Sequence, residues 1–572
     1  MDAAFRSRRI FYSLLFLAWA QTMLPNLGSV SLWDIDEGLN AEAAREMHES
    51  GDWVVPRFNF RLRDAKPALQ YWCQAWAYRL VGVSEFGARL PSVVAALLAG
   101  GAVYELGRSM FSASVGGLAG LALVSSGLVV ALGRFANPDA LLLACTSLTF
   151  LAFWWGYSPR VPGGATRHAW FVPFGVACGL ATLAKGPVGL LLPSLAVLLF
   201  LIWQRDVRIL RHRGLLWGIA AYALVTMPWY LMVTIETRGE FARGFFLKNN
   251  VQRYLSADHS HHGSLLYHAL FLLVGFAPWS VWILPTLGCA WRDRRADSPC
   301  GTDSAAVRLL LVWLGTYLLF FSVSATKLPG YGLPMYPAVA LLTGRFMDGW
   351  RRGTYRPPRG LMLYSAAWLV LIGAILSIGF ALSSGRLGIR VNHFRPVPAL
   401  ADLIPLGGGF VALGCAVIAL AWRGLRTAAV VSLVAGCVAG VAAFAGWTLP
   451  RFDSVKAPRP LIAAVGLQRG DQEWRLASYL YFQPSLVFYS QREVQRLDDD
   501  RLAIEHLAVP TPAILFLTRT DWEALKTRLP GRVLAQAWDM YQQDEIVAVG
   551  NESACRSLDL PAVARGEVRR RP

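Results

Sequence analysis

Apolar runs of roughly 16–24 residues recur along the first 450 positions of this chain, each long enough for an α-helix to cross about 30 Å of hydrocarbon. Thirteen fit: about 10–30, 88–106, 114–133, 138–156, 169–184, 187–203, 215–235, 264–287, 307–325, 331–346, 360–383, 403–421 and 428–447. Lipid offers the backbone no hydrogen-bond partners, so such runs must be helices that satisfy their own amides. A chain that is 55% hydrophobic with mean hydropathy +0.40 is also too apolar for a soluble protein of this length. The expected fold class is therefore an α-helical polytopic membrane protein with about 13 transmembrane helices over residues 1–450. The first run reads as a retained anchor, because no small-residue cleavage site follows it.

Lys and Arg in short loops set the orientation. With Arg6, Arg8 and Arg9 in the cytoplasm, the even-numbered connections fall inside as well. They hold Arg108, Arg160, Arg167, Arg205, Arg208, Arg211, Arg213, Arg292, Arg294, Arg295, Arg351, Arg352, Arg356, Arg359, Arg423 and Arg426. The net charge of +18 is thus mostly topology signal and lipid-headgroup contact, and calls for no nucleic acid. An odd number of spans leaves the C-terminal region outside. Residues 451–555 are more polar, with short runs such as Ser485-Leu486-Val487-Phe488-Tyr489 and Ala513-Ile514-Leu515-Phe516-Leu517. Both read as strands, hence a small C-terminal α/β periplasmic domain, followed by a basic tail over 556–572. Eight cysteines form no CxxC pair and no disulfide framework.

Sorted by this topology, the unusual polar residues all fall on the external face. Asp36, Glu37, Asp64 and Lys66 lie in the first external loop, 31–87. Arg134 and Asp139 flank the second, and Lys185 sits in the tight turn Ala184-Lys185-Gly186-Pro187. Arg253 and His259, His261 and His262 are in the fourth, Lys327 and Tyr331 in the fifth. Charge beside a bilayer is costly, and its convergence at one face marks a site. The chain carries no P-loop, nucleotide fold or Ser–His–Asp grouping, so an activated donor on that side would most simply be lipid-linked. A lipid phosphate calls for Lys and Arg to hold its oxygens, and a hydroxyl acceptor for a carboxylate base.

The ordered motifs resemble one family. Asp36-Glu37, Ala43-Ala44-Arg45-Glu46-Met47 and Gly51-Asp52-Trp53-Val54-Val55-Pro56-Arg57-Phe58 resemble the first periplasmic loop of bacterial GT-C glycosyltransferases. Closest are the lipid A aminoarabinose transferases, with the protein mannosyltransferases related. Lys66-Pro67 with Tyr71-Trp72, Arg134 to Asp139, Lys185-Gly186-Pro187, Phe245-Phe246 to Asn250, Arg253-Tyr254, Pro278-Trp279 and Lys327-Leu328-Pro329 with Tyr331 follow in order. The resemblance implies transfer of a sugar, 4-amino-4-deoxy-L-arabinose, from undecaprenyl phosphate to lipid A at the periplasmic face of the inner membrane. It implies Asp36 and Asp139 as the catalytic carboxylates, with Glu37 and Arg134 supporting them. Lys66, Arg253, Tyr331, Lys185 and Lys327 would meet the donor phosphate. One position departs: Ala65 precedes Lys66 where the family carries Glu, with Asp64 one position earlier. No cofactor is required by these residues. A divalent cation stays open, with Asp64, His259, His261 and His262 as candidates, although His-x-His-His in a loop fixes no geometry.

Plainer readings stand beside these. Asp36 and Glu37 could cap a helix starting near Leu39, and Asp139 could cap the next. Lys66 could snorkel to headgroups, and Tyr331 could be an interface aromatic. The same donor chemistry could also serve a protein Ser or Thr or another glycan. A transporter would place its ionisable groups at mid-membrane depth, and here they cluster at one face.

Overall fold

The computed structural model describes residues 2–157, 169–255, 263–295, 301–389, 395–467 and 473–558. Each of the thirteen apolar runs is helical in it. By length and apolarity seven helices among the described residues can cross a membrane, or nine if two bent pairs each count as one span. Of the remaining runs, Phe171–Lys185, Val188–Gln204 and Tyr336–Arg351 are shorter helices and α1 does not meet the test over its described residues, so the count of thirteen is not reproduced on that criterion. The first helix, α1 (Asp2–Met23), ends before the run does, and residues 24–30 turn into the first loop.

Two runs are broken rather than straight. Ala113–Val124 (α5) and Gly127–Gly133 (α6) meet at 61°, and Tyr267–Gly275 turns 115° into Trp279–Asp293. Pro278 cannot continue a helical ladder, which accounts for the second break. The breaks repair each other: the Gly127 amide donates to the Ala277 carbonyl at 2.8 Å, and Trp279 Nε1 donates to Ser125 Oγ at 3.1 Å. Backbone groups freed inside an apolar bundle are thus satisfied by protein rather than by water.

The first loop is ordered. It contains α2 (Asp36–Ser50), a hairpin of β1 (Arg57–Phe58) and β2 (Arg61–Leu62), and α3 (Leu69–Val81), leading into α4 (Glu85–Met110). Gly51, at φ +70°, closes α2 in the left-handed conformation that glycine adopts without penalty. After α6 the chain runs through α7 (Asp139–Tyr157), α8 (Phe171–Lys185), α9 (Val188–Gln204) and α10 (Arg213–Glu236).

The C-terminal region folds around a five-stranded sheet of β3 (Arg475–Tyr479), β4 (Val494–Leu497), β5 (Ala513–Thr518), β6 (Arg532–Asp539) and β7 (Asp544–Gly550), ordered β4-β3-β5-β7-β6. Strands β4, β3 and β5 are parallel; β7 is antiparallel to both β5 and β6. Both faces are covered, which explains the unbroken apolar run in β5. Leu515 and Leu517 pack beneath the helices Asp500–Leu507 and Arg519–Leu525. Ile514 and Phe516 face the other way, into one core with Ala41, Ala44, Met47, Tyr71 and Tyr78 of the first loop. Loop and sheet therefore share a hydrophobic core.

One strand expectation fails. Ser485–Ser490 is a helix, not a strand. Four successive apolar residues, Leu486 to Tyr489, carry no helical or strand period, so the run is ambiguous. Pro484 at its N-cap and burial on every side decide it.

Candidate active site

Asp36 and Glu37 are adjacent at the start of α2, and their environments differ completely. Glu37 is fully buried. It takes both fork arms of Arg89, Nε at 2.9 Å and Nη2 at 2.7 Å, together with the amides of Trp33 at 2.8 Å and Ala136 at 2.7 Å. Arg89 gives its remaining donors to the carbonyls of Leu27, Val30 and Ser31 at 2.7–3.0 Å. The pair bolts α2 to α4 and to the 134–139 loop. Asp36 is exposed, with no hydrogen bond or ion pair among the described residues. Burial pushes the nearby Tyr71 phenol up, and the Asp36 charge adds to the effect. Tyr71 accepts from Arg63 Nε at 2.8 Å, and Arg63 Nη2 reaches Asn40 Oδ1 at 3.2 Å. Neither acid is a helix cap: the N-cap residue is Ile35, whose side chain bonds nothing there.

The second cluster forms where helix ends meet. Asp139 opens α7, and its amide is capped by Asn137 Oδ1 at 3.0 Å, so Asn137 does the capping. The Asp139 carboxylate takes an ion pair from Lys185 at the end of α8. Lys185 Nζ also lies 5.0 Å from the centre of the Tyr331 ring. Gly330 packs against Asp139 so closely that a Cβ would stand 3.2 Å from its carboxylate. The structure thus brings Asp139, Lys185 and Tyr331 together. Asn40 Nδ2 donates to Ala136 O at 3.0 Å, tying this cluster's lead-in loop to α2.

One expected phosphate ligand, Lys327, and one expected supporting residue, Arg134, are turned inward. Lys327 is buried and donates to the carbonyls of Phe321 at 3.2 Å, Ser322 at 2.5 Å and Ser324 at 2.6 Å. Its three protons all serve the end of the helix Gly301–Val323. Burial holds its pKa below the usual lysine value. Arg134 is buried too, and donates to the carbonyls of Thr22 and Met23 in the last turn of α1 and of Pro25 just after it.

Lys66 is half-buried on the connection from β2 to α3. Asp64, just before it, presses on Gly244, where a Cβ would meet its Oδ2 at 1.6 Å. The π-helical segment Arg243–Gln252 is thereby laid against the hairpin, and its Phe245 and Asn250 also line Gly186 beside Lys185. That segment delivers the backbone of Arg253 to this end of the bundle; the Arg253 side chain lies outside the described residues, as do His259, His261 and His262. Among the described residues no three His, Cys, Asp or Glu side chains converge as a metal site.

Sequence reasoning missed Arg63 and Arg89. Arg63 resembles any loop arginine until Tyr71 and Asn40 are seen against it. Arg89 carried a usable signal: a charge at the head of an apolar run needs a buried partner.

Residues 65–231 match the family model described as dolichyl-phosphate-mannose-protein mannosyltransferase. The chain is similar to the undecaprenyl phosphate-alpha-4-amino-4-deoxy-L-arabinose arabinosyl transferase of Pseudomonas aeruginosa (strain UCBPP-PA14), at 34% identity over 59% of this chain. The match covers 60% of that relative's length. The enzyme of the same name from Erwinia tasmaniensis is 28% identical, over 89% of this chain and 90% of its own. ArnT from Cupriavidus metallidurans, solved bound to undecaprenyl phosphate, superposes with TM-score 0.79 at 24% identity, covering 95% of this chain and 98% of that one. The fold expected from the sequence, a bundle of apolar helices with a small C-terminal sheet, is therefore the fold observed, and ArnT shares it.

Proposed function

We propose that this chain is an inner-membrane glycosyltransferase that moves 4-amino-4-deoxy-L-arabinose from undecaprenyl phosphate to a lipid A phosphate at the periplasmic face. The observation that carries the reading is the contrast at the head of α2. Glu37 is saturated by four hydrogen bonds, while the next carboxylate, Asp36, is held at a fixed place and left open. A carboxylate positioned but not spent is what a transfer site requires. The names of the relatives, and the undecaprenyl phosphate in the ArnT structure, support the donor.

In the reaction the bond from the sugar's anomeric carbon to the donor phosphate breaks, and a bond from that carbon to the acceptor oxygen forms. Undecaprenyl phosphate departs with the electron pair. Lys66 and Arg253 hold its oxygens and stabilise the charge that develops there. Tyr331 joins them in contacting the donor, its ring set against Lys185, which in turn pairs with Asp139. Lys327 and Arg134 act as positioning residues, fixing the helix ends that carry this group. A lipid A phosphate is already ionised, so Asp36 has little proton to remove. Its role is to orient the acceptor or to hold the sugar's ammonium.

The match of residues 65–231 to a protein mannosyltransferase model favours a second reading, with a protein hydroxyl as acceptor and Asp36 as base. Mass spectrometry separates them. Lipid A from cells lacking their own transferase should gain one aminopentose when wild type is supplied, and none with well-expressed Asp36→Asn. Unmodified lipid A beside correctly inserted wild type would discard the lipid A reading and favour the protein acceptor.

A further inference from the structure

Outside the cluster just described, the first loop and the sheet bring two arginines together with no carboxylate partner among the described residues. Arg496 lies on the edge strand β4, its guanidinium carbon 3.6 Å from the centre of the Phe482 ring. Phe482 is braced edge-on by Phe58 of the hairpin, with ring centres 6.3 Å apart. Arg61, on β2 of the same hairpin, is close enough to Arg496 to lower its pKa, together with the larger effect of partial burial. The juxtaposition is fixed rather than incidental. Asn59, at the hairpin turn, donates to the Val494 carbonyl at 3.0 Å and accepts from its amide at 2.9 Å.

Their neighbours are already engaged. Arg57 pairs with Asp52 at 3.1 Å, and Arg63 serves Tyr71 and Asn40. Among the described residues neither Arg61 nor Arg496 has a carboxylate partner, and both are exposed. Holding two like charges together costs free energy unless an anion joins them. A phosphate monoester fits: two guanidinium forks can each give it paired hydrogen bonds, and a guanidinium laid flat on an aromatic ring is pre-oriented for this.

We propose that Arg61 and Arg496 form an anion site taking a phosphate monoester of the acceptor's glycolipid headgroup. Arg61 is two residues along the chain from Arg63, which serves Tyr71, and the site rests on the reading of the acceptor as a phosphorylated lipid. The site would hold one phosphate of the acceptor while another is presented to the sugar.

The test uses the full chain in nanodiscs of zwitterionic phospholipid, and compares binding of bisphosphorylated lipid A with the same lipid after phosphatase treatment. Wild type should prefer the phosphorylated form by about tenfold or more. The R61Q/R496Q variant should bind both alike at an unchanged unfolding temperature. F482A, which removes only the platform, should lose part of the preference. A wild type that binds both lipids equally, or a double variant that still discriminates, would overturn the site. Discrimination that survives millimolar inorganic phosphate assigns the site to a headgroup; discrimination erased by it assigns the site to free phosphate. Binding is read without turnover, so a chain that discriminates yet transfers no aminopentose keeps this site while losing the proposed reaction.

Discussion

The two ends of the helical bundle both carry many charges and spend them differently. At the end away from the sheet, arginines share carboxylates side chain to side chain. Glu105 takes Arg8 at 2.9 Å and Arg108 at 2.6 Å; Asp293 takes Arg345 at 2.7 Å; Asp348 takes Arg351 at 2.6 Å. At the end beside the sheet there are side-chain pairs too, but several charges are also spent on backbone. Arg89, Arg134 and Lys327 each reach three main-chain carbonyls, and Glu37 binds two main-chain amides. Side-chain pairs can slide and exchange. A charge that grips backbone fixes the path of the chain, and the groups left over, such as Asp36, inherit fixed positions.

The sharpest way to break this contrast is Glu37→Ala. It strands Arg89 in a dry site, and losing one partner of a buried pair costs about 3–5 kcal/mol. The folded yield in detergent should collapse. Asp36→Asn, one residue away, should instead leave the unfolding temperature alone while transfer falls by about 100-fold or more. If the two variants behave alike, the division between held and open carboxylate is wrong. Lys327→Met should cost about 1–3 kcal/mol through carbonyls left without a donor, read as a lower unfolding midpoint. At the other end Arg345→Gln should cost less than about 1 kcal/mol, because Tyr355 and Arg292 still serve Asp293.

The finest test concerns Asp34. Burial raises its carboxyl to about 7, against hydrogen bonds from the amide and hydroxyl of Ser485. In the unfolded chain the group has an ordinary value near 3.9. Between about 4 and 7 the folded state keeps a proton that the unfolded state has lost. This residue's contribution is therefore full at the acid end of that window and is lost as the pH rises through 7. Asp34→Asn should flatten that part of the stability–pH curve, seen as a smaller difference in unfolding temperature between pH 5 and pH 8 than wild type shows.

What could be read beforehand followed from periodicity and order. The helical runs announce themselves through length, and the external face collected Asp36, Lys66, Asp139, Lys185 and Tyr331 before any coordinates. Roles within the set were not legible. Lys327 and Lys185 are both loop-end lysines in the sequence; only geometry shows one facing three carbonyls and the other a carboxylate and an aromatic ring. The breaks at Ser125 and Pro278 were hidden because each lies inside a run whose average apolarity is unaffected. The helix at Ser485 was hidden because burial on all sides erases the period that separates helix from strand.

Asn59 bonding Val494 also bears on the order in which the protein is made. The two residues are 435 positions apart, and ribosomes add roughly 5–20 residues per second. The first loop must therefore wait about 20–90 s after its synthesis before its partner strand exists. Its apolar side chains, Ala41, Met47, Tyr71 and Tyr78, have no sheet to pack on until then. The candidate site is laid down first and completed last, so a nascent or C-terminally truncated chain should insert in the membrane and remain inactive.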